Sequence, residues 1–88
     1  MEKIRNSLGL QQIPGVGKSI VRDLKDIGIN CIDDLIGKNP EDLYKSLCDF
    51  RKSHVDKCVL YIFRCAVYYA ENINHEEDFL KWWNWKDK

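Results

Sequence analysis

Apolar residues recur at spacings of three and four in segment after segment of the chain, and alternating β-branched runs are scarce, so the pattern predicts an all-α protein. From Lys18 to Ile27 the residues Ile20, Val21, Leu24 and Ile27 share one side of a helix, and Gly28 follows as a left-handed cap. An earlier short helix is predicted over about Glu2 to Gln12, closed by Pro14, whose ring biases Ile13 away from helical angles. "NCIDDLIG" predicts a short helix from about Ile32 to Ile36, stopped at Gly37. Asn39 followed by Pro40 is a start signal, an N-cap and then the favoured first helical residue, for a helix to about Cys48. The longest helix is expected from near Ser53, with Asp56 three residues on as a shortened capping box, to about Asn72. The tail "HEEDFLKWWNWKDK" is consistent with one further turn.

Sliding the sequence 34 residues along itself lays "IPGVGKSIV" (Ile13 to Val21) over "LCDFRKSHV" (Leu47 to Val55). Ile13 meets Leu47, Val16 meets Phe50, Lys18 meets Lys52, Ser19 meets Ser53 and Val21 meets Val55. The flanking helices coincide as well, so two helix, tight turn, helix units are expected to bury their apolar anchors against each other. The expected organisation is a first unit over residues 2–28, a connector over 29–39, a second unit over 40–72 and a Trp-rich tail over 73–88.

The glycines at Gly15 and Gly17 raise the question of a nucleotide loop. A phosphate-binding loop of the G-x-x-x-x-G-K-[ST] type needs a glycine where this chain has Gln12, and the dinucleotide pattern G-x-G-x-x-G needs one where it has Ile20. What remains is h-P-G-h-G-K-S between two helices. Its two glycines leave backbone N–H groups open at a helix start, Val16 can turn inward, and Lys18, Ser19 and Arg22 suit phosphate oxygens. This resembles the helix-hairpin-helix motif of DNA-repair and recombination proteins, over residues 8–28. The resemblance implies sequence-non-specific grip on a sugar-phosphate backbone through Gly15, Val16, Gly17, Lys18, Ser19 and Arg22. It also implies a monovalent cation, K⁺ or Na⁺, on the carbonyls of Gln11, Ile13 and Val16. In the second unit Cys48, Asp49 and Arg51 replace the proline and both glycines, so that hairpin is expected to be degenerate, structural or lending only Arg51, Lys52 and Ser53 to a neighbouring phosphate. The competing reading of "PGVG" is a plain interhelical turn.

Over nearly its whole length the chain also resembles a small bacterial helix-hairpin-helix family labelled pathogenicity-locus proteins, some members of which carry mitomycin-resistance labels. "IPGVGKSIVRDLKDIGI", "HVDKCVLYIFRCAVYYA" and "LKWWNWKD" carry that likeness. It supports the fold and suggests DNA-damage biology.

On the long helix His54, Cys58, Tyr61, Cys65 and Tyr68 form one stripe, and Cys48 lies just upstream. Cys48, His54 and Cys58 could serve a zinc ion with three ligands, or His54 and Cys58 a thiol chemistry. The preferred reading is a core face in which cysteine is a small filler, completed by Val55, Val59, Ile62 and Ala66. Trp82, Trp83 and Trp85 are read as a lid docking on the long helix, with base stacking or a protein interface as alternatives.

Composition narrows the function. A chain of 88 residues holds one core. Its formal net charge of zero argues against a polycation coating nucleic acid along its whole surface, so any such contact is local. Lys3, Arg5, Lys18, Arg22 and Lys25 against Glu2 and Asp23 make the first 25 residues positive, where the glycine loop lies. The N-terminus lacks a secretory pattern and "CVLYIFRCAVYYA" is too short to span a bilayer, so a cytoplasmic protein with no membrane partner is expected. The expectation is thus a tandem helix-hairpin-helix-like domain of about five helices. It binds DNA or RNA backbones, has no enzymatic activity, and acts in repair or damage resistance, alone or beside a partner protein. The alternative is a protein-interaction module with a structural hairpin.

Overall fold

A computed structural model describes residues 9–72 and 74–85 of the chain. Among the described residues three α-helices carry the fold: α1 (Lys18–Asp26), α2 (Pro40–Arg51) and α3 (Lys57–Glu71). Short 3₁₀ turns at Leu10–Gln12, Ile32–Leu35, Glu77–Leu80 and Trp82–Trp85 link and finish them, and the described residues contain no strand. The predicted first helix lies outside the described residues except for its end, the turn Leu10–Gln12.

Where local chemistry dictates an end, the ends fall as expected. After α1, Gly28 takes φ 95°, its N–H donates to Lys25 O at 3.1 Å, and Ile29 N–H donates to Leu24 O at 2.8 Å. That pair of bonds satisfies the last carbonyls of the helix and drops Ile29 into the core beside Leu24. At the start of α2, Asn39 Oδ1 accepts from the N–H groups of Glu41 at 2.8 Å and Asp42 at 3.4 Å. Pro40 needs no acceptor there, and the carboxylates of Glu41 and Asp42 face the positive end of the helix dipole.

The second unit departs from the 34-residue register. Helix α2 continues past Cys48 to Arg51, and α3 begins at Lys57 with Asp56, in place of Ser53, as its N-cap, Asp56 accepting from Cys58 N–H at 2.9 Å. Asp49 and Arg51, opposite the two glycines of the first loop, are therefore helical and form no turn. The cause is in the sequence: with neither proline nor glycine between Cys48 and Arg51, nothing interrupts the hydrogen-bond ladder. The chain turns instead at Lys52, in the left-handed region at φ 54°, with Ser53 N–H donating to Cys48 O at 3.3 Å.

Leu10, Ile13, Leu24, Leu35, Leu47, Phe63 and Cys65 are fully buried, so every element from the turn Leu10–Gln12 to α3 contributes an anchor to one core. Helix α3 runs through its centre with Ile62, Phe63, Cys65, Ala66 and Val67 inward. Of the expected cysteine and tyrosine stripe, Cys65 is buried and Tyr61 and Tyr68 are half-buried, while His54 and Cys58 are exposed. The tail lies on α3 as a lid. Tyr68 meets Phe79 and Trp85 with ring centroids 5.3 and 5.6 Å apart, and Trp85 Nε1 donates to Phe79 O at 2.8 Å. Arg64 fastens three segments, donating through Nε and Nη2 to Glu41 Oε2 at 3.1 and 2.7 Å and through Nη1 to Trp85 O at 2.7 Å. The Arg64 guanidinium holds the Glu41 carboxyl below the usual carboxylate range. Among the described residues no helix is long and apolar enough to cross a membrane.

A left-handed lysine is strained, while glycine there loses more freedom on folding; the first effect, about 1–2 kcal/mol, outweighs the second. Lys52→Gly is therefore expected to stabilise the protein by about 0.5–1 kcal/mol in urea denaturation, with an unchanged slope.

Candidate functional site

The loop between Gln12 and Lys18 is built from two turns with different duties. Ile13 N–H donates to Leu10 O at 3.3 Å, closing the 3₁₀ turn, and Val16 N–H donates to Ile13 O at 3.0 Å. Pro14 and Gly15 occupy the corner between Ile13 and Val16, with Gly15 at φ 87°, the arrangement of a type II turn, in which only glycine sits comfortably at the third position. Ile13 and Val16 are buried on either side of that corner and anchor it.

Gly17 then runs extended, at φ −95° and ψ −171°, as the N-cap of α1, and contributes no side-chain cap. The first helical bond is Val21 N–H to Gly17 O at 2.9 Å, so the N–H groups of Lys18, Ser19 and Ile20 precede the ladder and have no acceptor within the helix. Gly15, Gly17, Lys18, Ser19 and Arg22 are all exposed. Bare amides, the positive end of the α1 dipole, the Lys18 ammonium, the Ser19 hydroxyl and Arg22 one turn on make an array suited to an oxyanion.

The fold requires a glycine at only one of the two positions. A Cβ on Gly15 would stand 2.7 Å from Trp82 Cδ1, and its positive φ disfavours any side chain. A Cβ on Gly17 would meet nothing within 4 Å, and its backbone angles are open to every residue type. Nothing inside the fold asks for glycine at 17.

Val16 points inward as expected, but its N–H is used within the turn, so the donors to a ligand are confined to the stretch that follows. Arg51, for which the sequence leaves a structural role and a phosphate contact as alternatives, pairs with Asp23 of α1. Asp23 is buried, and the pairing neutralises its carboxylate. Its position was legible: Asp23 lies inside the apolar stripe formed by Ile20, Leu24 and Ile27, where a carboxylate needs a partner. The partner's identity carried no local signal. Cys48 is half-buried, whereas His54 and Cys58 are exposed, and among the described residues no group of three or more His, Cys, Asp or Glu side chains is placed to hold a metal.

Beneath the loop, Cys65 Sγ lies 3.5 Å from the carbonyl oxygens of Phe79 and Leu80 and 3.9 Å from that of Pro14. Burial pushes its thiol up to about 11, so it stays neutral and serves as packing between loop and tail.

The model of the family described as "Pathogenicity locus" matches residues 3–88. The chain belongs to the pathogenicity-locus family. No curated protein and no solved structure matches it, so the case for what this pathogenicity-locus protein's loop does rests on the loop's own geometry.

The two glycines give opposite expectations in thermal or urea unfolding. Gly15→Ala combines left-handed strain with displacement of Trp82 and is expected to cost about 2 kcal/mol or more. Gly17→Ser gives α1 a side-chain cap and is expected to be neutral or to stabilise by a few tenths of a kcal/mol, roughly the difference between Gly and Ser caps.

Proposed function

We propose that this pathogenicity-locus protein binds the sugar-phosphate backbone of nucleic acid, without reading sequence, through the amides at the start of α1 together with Lys18, Ser19 and Arg22, in the manner of a helix-hairpin-helix motif. The observation that carries the reading is Gly17: a glycine that neither the backbone angles nor any neighbouring atom demands, standing where a side chain would obstruct whatever approaches the exposed amides. The positive charge of Lys18 and Arg22 on a chain of zero net charge supports a small, local contact. A monovalent cation on the carbonyls of Gln11, Ile13 and Val16 belongs to the same proposal and would add positive charge at the turn. Damage resistance would follow from shielding or marking nucleic acid, and we assign the chain no reaction of its own.

A protein-interaction surface is the second reading, favoured by the exposure of Ile36 and Phe50, which the fold leaves uncovered.

Binding to a labelled oligonucleotide, followed by anisotropy across a salt series, separates the two. With two side-chain cations engaged, log affinity is expected to fall with log salt at a slope of roughly −1.5 to −2. Gly17→Asp caps α1 and faces its dipole favourably, so it is expected to raise the unfolding midpoint while abolishing binding by repelling phosphate. Lys18→Glu is expected to abolish binding with helicity unchanged. Wild-type affinity in both variants would exclude the loop as the site.

A further inference from the structure

Trp83 is the tail indole that the fold leaves open. It is 53% exposed, whereas Trp82 and Trp85 are half-buried. Its backbone is nonetheless held. Asn84 N–H donates to Lys81 O at 2.9 Å, Asn84 Nδ2 donates to Asp78 O at 2.9 Å, and Arg64 fixes Trp85 O. The Trp83 ring meets the Trp82 ring nearly at right angles, at 84° with centroids 5.7 Å apart, and Trp82 in turn abuts Gly15. The open indole thus stands one side chain away from the corner of the loop, on a support with little freedom to move.

We propose that Trp83 is a base-stacking platform, and that the loop's ligand is consequently single-stranded nucleic acid in preference to duplex; this rests on the reading of the loop given above. Three arguments converge. An indole face can stack only on a base whose own face is free, which an unpaired strand offers and an intact duplex does not. Lys18 and Arg22 are too few to hold a stiff duplex by charge alone, so a term independent of salt is needed, and stacking is such a term. Finally, loop and indole are complementary: one supplies donors and positive charge for phosphate, and the other supplies a flat apolar surface for the base attached to that backbone.

The test uses the full chain and two oligomers of equal length, an oligothymidylate and an abasic deoxyribose-phosphate strand, each labelled for anisotropy at low salt. The oligothymidylate is expected to bind about tenfold more tightly, within the range of one stacked base. Trp83→Ala is expected to lower its affinity to that of the abasic strand and to leave abasic binding unchanged, with Trp83→Phe intermediate. Equal binding of the two oligomers by the wild type, or an unchanged oligothymidylate affinity in Trp83→Ala, overturns the stacking role and leaves the backbone reading standing. Failure of both oligomers to bind overturns the backbone reading and the stacking role together.

Discussion

The contact of Trp82 with the bare face of Gly15 is the constraint on which the rest of the site depends. The Pro14–Gly15 corner is shaped by a positive φ that only glycine takes easily, and the missing Cβ leaves the space into which the indole closes. Cys65 lies beneath both, its sulfur among carbonyls of the loop and of the tail. The loop is therefore held from behind by Cys65, 51 positions from Pro14 in sequence, and by Trp82, more distant still. A preformed loop loses little freedom on binding, which matters for a site with so few charges.

The same packing divides the loop in two. Up to Val16 it is structural: apolar anchors, an internally bonded amide and a corner covered on one side by the tail. From Gly17 onward it is open, with amides at a helix start and no side chain in front of them. Asp23 is buried against Arg51, while Asp26 is exposed one turn along from Arg22 and bounds the positive start of α1 on that side. Arg64 serves the tail as Arg51 serves α1, joining α2, α3 and the tryptophan turn through charge-assisted bonds. Zero net charge is compatible with a local anion site, because the charges of Lys18 and Arg22 act at short range at the start of α1.

Much of this was legible in the sequence wherever structure is dictated locally. The proline and glycines of the first loop, the Gly28 cap and the Asn39–Pro40 start each act through a few adjacent residues and fall where expected. The end of α2 was misplaced because the 34-residue comparison matched side chains, whereas a helix ends where its backbone is interrupted, and residues 48–51 offer no interruption. Helical spacing groups His54 and Cys58 with Cys65, yet His54 precedes α3, which begins only at Lys57, and Cys58 is exposed in its first turn. The seat of Trp82 and the partner of Asp23 are contacts between distant segments and leave no trace in a single sequence. Membership of the pathogenicity-locus family places the chain among its relatives without supplying an activity, so the functional claim rests on the start of α1.

That claim is tested most directly by amide resonances. In a ¹⁵N–¹H titration of the full chain with a short oligonucleotide, the backbone signals of Gly17, Lys18 and Ser19 should shift first and furthest, and added salt should reverse the shifts. Shifts confined to α2, or to the exposed surface around Ile36 and Phe50, with the amides at the start of α1 unmoved, would contradict it.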